Sequence, residues 1–322
     1  MFLVCSGLRR AEPGFAGREP RPARGVRERF LVTGALGCLG AWTCTLLVRE
    51  GAGVVAYDLD TDDRRLRLIA APEEIERISF VRGDVTDLDG LERALGKHEI
   101  THVIHLAALQ VPFCKADPVL GANVNVLGTV NMFEAVKRRG LETTLAYASS
   151  AAVYDERGVI APRTLYGVYK VANEGTARIY AQEDGVASIG LRPYSVYGPG
   201  RDQGVTADPT HAMRAAARGE PYRIGFGGRT ELHYAPDVAR AFIQAARTPP
   251  EGAAVYDIAG ASVHMREVVA TIEQAAPGAS ITFEDVQLPF PEELPGECFD
   301  SPVTPLADGV RQTIDLLRAT AR

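Results

Sequence analysis

Phe30-Leu-Val-Thr-Gly-Ala-Leu-Gly-Cys-Leu-Gly40 is the stretch on which the reading of the fold turns. Its opening apolar and β-branched residues predict a short buried strand. The glycines at 34, 37 and 40 predict a tight turn that opens a helix from about residue 39. Glycine is what such a turn requires, because a side chain there would hold a pyrophosphate away from the backbone amides and the positive helix end.

The same texture repeats outward from this turn. Short apolar runs at 53–57, 78–81, 103–106, 144–147 and 187–192 alternate with helical segments near 39–50, 62–71, 87–97, 116–139 and 162–184. That alternation predicts an α/β fold with a doubly wound parallel Rossmann sheet. After Gly200 proline and glycine become denser and the alternation fails, which predicts a smaller α+β C-terminal substrate domain. The expected division is a flexible leader over 1–28, a dinucleotide-binding domain over 29–195 plus about 236–259, and a substrate-binding domain over about 196–235 plus 260–322. The leader is rich in arginine, proline and glycine without apolar periodicity, so it cannot repay the entropy of ordering.

The chain has 322 residues, 46% of them hydrophobic, and a formal net charge of -6. Without a cationic surplus it is not expected to bind nucleic acid or an anionic membrane surface. No apolar stretch reaches the ~18–20 residues needed to span a bilayer, and no secretory signal is evident, so a cytoplasmic protein is expected. The five cysteines show no zinc or redox spacing and read as reduced thiols. His102 and His105 flank an apolar strand and there is no His-Glu-x-x-His helix, so no metal site is expected.

The second strand ends at Asp58, eighteen residues after Gly40, where a carboxylate can accept hydrogen bonds from both adenosine ribose hydroxyls and repel a 2'-phosphate. NAD is therefore expected rather than NADP. A cap or turn role is the lesser alternative for Asp58, and Arg64 and Arg65 are placed to compensate its charge only from a distance. Past the third strand, Asp84 is placed to meet the adenine amino group, and either Asp84 or Asp87 to cap the next helix.

Tyr166 and Lys170 stand at i and i+4, on one helical face, where the ammonium would stabilise a phenolate and lower the tyrosine pKa. Lysine is scarce here (Lys97, Lys115, Lys137 and Lys170), which makes the spacing informative. Ser150 follows the fifth strand, at the strand edge where doubly wound folds bind ligands, and its hydroxyl can hold a substrate oxygen or serve a turn.

With Gly34/Gly37/Gly40, Asp58, Gly83-Asp-Val85, His105-Leu-Ala-Ala108, Asn125-Val-Leu-Gly-Thr129, Ser150, Tyr166/Lys170 and Leu191-Arg-Pro-Tyr-Ser-Val-Tyr-Gly-Pro-Gly200 in order, the chain resembles the extended short-chain dehydrogenase/reductase superfamily. The resemblance is to its NAD-dependent epimerase/dehydratase branch and covers nearly all of 30–320. It implies backbone contacts from Cys38 and Leu39 to the pyrophosphate, and Leu106, Ala107 and Ala108 along the adenosine. It also implies Asn125 in the network around Tyr166 and Lys170, Lys170 on the nicotinamide ribose, and Pro193 or Tyr194 against the nicotinamide. Asp84 and Val85 complete the implied cofactor set. Homodimers through the helices near 116–139 and 162–184 are usual in such relatives.

The chemistry so implied is hydride transfer at a secondary carbinol, with Tyr166 taking the hydroxyl proton and Ser150 bonding the oxygen. Relatives that dehydrate or decarboxylate place an acid after the catalytic serine or threonine, where this chain has Ala151 and Ala152. Two departures bear on the substrate. Ser195 stands where asparagine is usual, and Thr230 where an arginine meets the diphosphate of a sugar nucleotide, with Arg229 next door. Arg201, in a polar loop, is a further anion partner, so Ser150, Ser195, Arg201 and Arg229 are the substrate-side candidates. Three readings stand: an epimerase-like enzyme acting on a sugar or sugar nucleotide, a dehydrogenase or ketoreductase of a sugar acid or cyclitol, and a non-catalytic NAD-binding module.

Overall fold

The computed structural model describes residues 28–320. The expected leader lies outside the described residues except for Glu28, whose carboxylate takes two hydrogen bonds from Arg247 at 2.9 and 2.7 Å. The first half of the chain runs β1 (Arg29–Thr33), α1 (Cys38–Arg49), β2 (Gly53–Asp58), α2 (Arg64–Ile69), α3 (Pro72–Ile75), β3 (Ile78–Arg82), α4 (Leu88–Lys97) and β4 (His102–His105). It continues through α5 (Val111–Ala116), α6 (Pro118–Ala122), a π-helical turn (Asn123–Leu127), α7 (Gly128–Arg138), β5 (Leu145–Ala148), α8 (Leu165–Asp184) and β6 (Ser188–Arg192). There follow β7 (Ser195–Tyr197), α9 (Asp208–Arg218), β8 (Tyr222–Ile224), β9 (Arg229–Tyr234), α10 (Ala235–Arg247) and β10 (Ala253–Ile258). The chain ends with β11 (Ala261–His264), α11 (Met265–Ala275), β12 (Ile281–Phe283), β13 (Cys298–Phe299) and α12 (Leu306–Thr320).

Eight of these strands form one parallel sheet in the order β13-β10-β6-β5-β4-β1-β2-β3. Along β1 the residues alternate across it. Phe30 and Val32 pack with Leu47 and Phe242 on the α1 and α10 side, while Leu31 packs with Leu91, Phe133 and Leu145 beneath α4 and α7. Each such fully buried side chain contributes ~1.5–3 kcal/mol. The strand order reverses at β1, with β2 on one side and β4 on the other, which opens a crevice beyond the strands' C-terminal ends.

The remainder builds a three-stranded sheet, β11-β9-β7, and a parallel pair, β12-β8. Helices α9, α11 and α12 close over a separate core of Met213, Phe226, Met265, Ile272 and Ile314. Two departures from the expected layout stand out. The helix expected over 116–139 starts at Pro118 and is interrupted by the π turn, and β13, from the segment expected in the substrate half, returns to the edge of the large sheet beside β10. Among the described cysteines, Cys38, Cys44 and Cys114 carry free thiols.

Candidate active site

Above the crevice lies a cavity of about 590 Å³, walled by the glycine turn, the ends of β2, β4 and β5, the start of α8, and residues 201–206 and 288–290. The glycines are needed for close packing. A Cβ on Gly34, at φ +64°, would meet the Ala107 nitrogen at 2.7 Å, and one on Gly40 would meet the Gly34 carbonyl oxygen at 2.1 Å. Gly37, Cys38 and Leu39 thus present the first turn of α1 directly to the cavity.

Asp58 stands beside this turn. Its carboxylate accepts the Leu36 amide at 2.9 Å and the Asp60 amide at 3.1 Å, so it braces the turn as well as facing the cavity. Asp84 and Val85 line the same end, and the Asp84 carboxylate takes the Thr86 amide at 2.9 Å, whereas capping of α4 falls to Asp87, which accepts the Gly90 amide at 3.0 Å. Leu106, Ala107 and Ala108 line the wall, and Pro193 and Tyr194 the floor. This shape and donor set fit a dinucleotide: an open helix end for the pyrophosphate and a carboxylate with lone pairs left for a ribose.

At the other end Ser150, Tyr166 and Lys170 converge. Ser150 is the cap of a short 3₁₀ turn, its oxygen accepting the Ala152 amide at 3.1 Å, and it lines the cavity beside Tyr166. Lys170 donates to the Ala148 carbonyl at 2.6 Å, and its nitrogen lies 5.4 Å from the Tyr166 ring centroid. Burial brings the Lys170 ammonium down to about 8. The expected depression of the Tyr166 pKa does not hold in this state. Burial raises it, and the opposing influences are the neighbouring Ser150 hydroxyl and the charge of Arg201 rather than Lys170.

Asn125 stands behind the wall rather than in it. From the π turn its side-chain oxygen accepts the Leu109 amide at 2.7 Å and its nitrogen donates to the Leu109 carbonyl at 2.9 Å, while its own carbonyl accepts from Asn173 at 2.9 Å. π turns widen a helix locally and so free such groups for use outside it. His105 is likewise structural: its ring nitrogens pair with Thr33 and Thr129 at 2.7 and 3.2 Å, and burial drives its pKa down to about 3.

Of the substrate-side candidates, two do not reach the cavity. The Ser195 hydroxyl is fully buried and paired with Thr230 at 3.1 Å. Arg229 turns away, donating to the Ser262 carbonyl at 3.0 Å and lying 3.8 Å from Glu267. Arg201 does face the cavity. One of its terminal nitrogens reaches Thr206 at 3.2 Å, but its buried Nε has no partner, and burial lowers its pKa. Asp155 tethers its loop by accepting from the Arg157 and Val159 amides and the Arg157 guanidinium.

Sequence reasoning missed Gln110 and Asp202 on the cavity wall, and it placed Arg65 too far away: Arg65 lines the cavity and donates to Asp202 at 2.7 Å. It also missed a buried network behind Ser150, in which Arg192 donates to both oxygens of Glu174 at 2.7 Å and Glu174 accepts from Ser149 at 2.5 Å. Tyr154 and Asp257 complete it. Nothing local in the sequence marks these partners, which lie 18 to 137 residues apart.

Switch-point cavity, glycine turn and Ser-Tyr-Lys set together define a dinucleotide-dependent oxidoreductase of the extended short-chain dehydrogenase/reductase type. The profile of the NAD dependent epimerase/dehydratase family matches residues 30–259, and the chain belongs to that family. It is 30% identical over 230 residues to a UDP-glucose 4-epimerase of Mycolicibacterium smegmatis, covering 67% of this chain and 72% of that one. It is 33% identical over 206 residues to UDP-glucuronate 4-epimerase 2 of Arabidopsis thaliana, spanning 58% of this chain but 47% of the plant protein. Among solved structures, Thermus thermophilus UDP-glucose 4-epimerase in complex with NAD superposes with a TM-score of 0.71 at 28% identity, over 90% of this chain and 99% of that one. NAD is the cofactor. Among the described residues no helix is long and apolar enough to cross a membrane.

Proposed function

We propose that the chain catalyses reversible hydride transfer at a secondary carbinol of a sugar or sugar nucleotide, in an epimerase-like cycle with Tyr166 as acid and base. The observation that carries this reading is the convergence of Ser150 and Tyr166 at the cavity wall, with the Lys170 nitrogen 5.4 Å from the Tyr166 ring centroid and fixed on the Ala148 carbonyl. NAD, when bound, supplies the hydride acceptor and donor. Tyr166 takes the hydroxyl proton and returns it, and Ser150 holds the same oxygen. Lys170, anchored on the Ala148 carbonyl, keeps its charge at neutral pH and orients the ribose side of the site. Ala151 and Ala152 offer no acid for elimination, which favours return of the hydride over dehydration. In this reading residues 29–195 plus about 236–259 carry the cofactor, and about 196–235 plus 260–322 the substrate.

A second reading, a dehydrogenase of a sugar acid or other non-nucleotide carbinol, draws on the substrate side. Ser195 and Thr230 satisfy each other, Arg229 faces away, and Arg201 keeps a buried donor without a partner, an arrangement suited to one carboxylate. Incubation with UDP-glucose, UDP-glucuronate and free aldonates or uronates decides between them. Epimer formation by NMR without net NADH supports the first reading, and stoichiometric NADH at 340 nm with a free acid supports the second.

The proposal includes a homodimer. Val119, Leu120 and Leu127 on the segment from α6 to α7, and Leu165, Val168 and Ile179 on α8, are exposed apolar side chains on the two helices expected to pair. Light scattering at micromolar concentration tests this.

A further inference from the structure

Asp202 occupies an unusual position. It sits in the loop that leaves β7, yet its carboxylate is gathered by two arginines from the helix after β2. Arg65 reaches it through Nη2 at 2.7 Å and Nε at 3.0 Å, and Arg64 through Nη2 at 3.1 Å. Arg65 donates at the same time to the Leu36 carbonyl at 3.0 Å, inside the glycine turn. The Arg65 and Asp202 side chains are only 13% and 18% exposed, so solvent screens this pair far less than an ordinary surface ion pair.

The rest of the loop is laid over the same turn. The Pro199 carbonyl accepts from the indole of Trp42 in α1 at 2.9 Å. Residues 201–206 form the cavity wall facing Gly34, Gly37 and Cys38. Glycines with positive φ flank Asp202 on both sides: Gly198 at +123° and Gly200 at +87° before it, and Gly204 at +98° after it. The loop thus has pivots on either side of a single charged fastening, and the fastening joins it to the cofactor turn.

We infer that Asp202, held by Arg65 and Arg64, is a latch that keeps the 199–206 loop closed over the dinucleotide site and sets how fast NAD enters and leaves. Asp202 acts through the loop as a positioning residue. The inference rests on NAD dependence alone and is indifferent to which substrate reading holds.

The test compares wild type, Asp202→Ala and the charge exchange Arg65→Asp/Asp202→Arg, all purified and loaded with NADH. Release is followed by stopped-flow fluorescence on mixing with excess NAD, and association by mixing empty protein with NADH. A latch slows both directions, so Asp202→Ala is expected to raise the association and dissociation rates together, each by ~10-fold. The charge exchange is expected to bring both rates part of the way back, below those of Asp202→Ala, since it rebuilds the Arg65 pair in reverse but leaves Arg64 beside a like charge and Leu36 without its donor. Unchanged rates in Asp202→Ala overturn the inference. So does faster release with unaltered association, because that pattern describes lost contact with the bound nucleotide and not an opened loop. Thermal unfolding of each variant shows that it is folded, and if Asp202→Ala fails to fold, the exchange variant and Arg65→Gln carry the same comparison.

Discussion

The two sides of the cavity are built on different principles. On the sheet side, site residues sit where parallel strands stop: Gly34 after β1, Asp58 at the end of β2, Leu106 after β4 and Ser150 after β5. Register places them there, with Thr33 opposite both Tyr57 and His105. On the loop side the wall comes from residues 201–206 and 288–290, and long-range pairs such as Asp202 with Arg65 hold it. A residue's place is thus inherited from the sheet on one side and negotiated through side chains on the other.

The sharpest way to break this comparison is Tyr166→Phe, which is expected to lower kcat by ~10³-fold while leaving the NAD dissociation constant within about a factor of three. Isothermal titration beside steady-state kinetics measures both, and substantial residual turnover would move the proton path elsewhere. Asp58→Ala comes next. Loss of the ribose hydrogen bonds, and of the repulsion toward a 2'-phosphate, is expected to shift the NAD:NADP affinity ratio by ~10-fold or more toward NADP. An unchanged ratio would leave Asp58 only its role in bracing Leu36.

Two contrasts probe the substrate end. Arg201→Gln is expected to raise KM for an acidic substrate by ~10-fold, whereas Arg229→Gln, which removes a group facing away from the cavity, should stay within ~2-fold. Equal effects would erase the distinction between these two arginines. The smallest expected effect belongs to the buried hydroxyl pair. Ser195→Ala should cost ~1–2 kcal/mol of stability by stranding Thr230, and the double change with Thr230→Val should recover most of that, both with unaltered kinetics. A kinetic effect from either would return Ser195 to the substrate site.

The contrast between the two sides also explains what the sequence made legible. Strand runs, the glycine turn, Asp58 and the Tyr166/Lys170 pair are local patterns with a fixed period or spacing, and the fold places all of them at the cavity. Ser195 and Arg229 were read from their places in a motif, and chemistry at those places depends on which way a side chain turns. Thr230 beside Ser195, and Ser262 beside Arg229, decide that. The Tyr166 pKa was read from one neighbour, Lys170, whereas burial, which no pairwise spacing encodes, dominates it. The second partner of Arg65 lies 137 residues away and was invisible for the same reason.

The π turn at Asn123–Leu127 carries a consequence for the length of this chain as well as its composition. A turn of this kind holds one residue more than an α-helical phase allows, so it behaves as an insertion kept in place by Asn125 and its partners. Deleting a single residue there would let the helix close to ordinary geometry and rotate everything before it by ~100°. That rotation would carry off the Pro118 carbonyl, which accepts from the Tyr169 hydroxyl at 2.9 Å on α8, three residues from Tyr166. Substitutions at exposed positions of this segment change what the helix shows to solvent, but a change in the count of its residues puts the two helices out of phase.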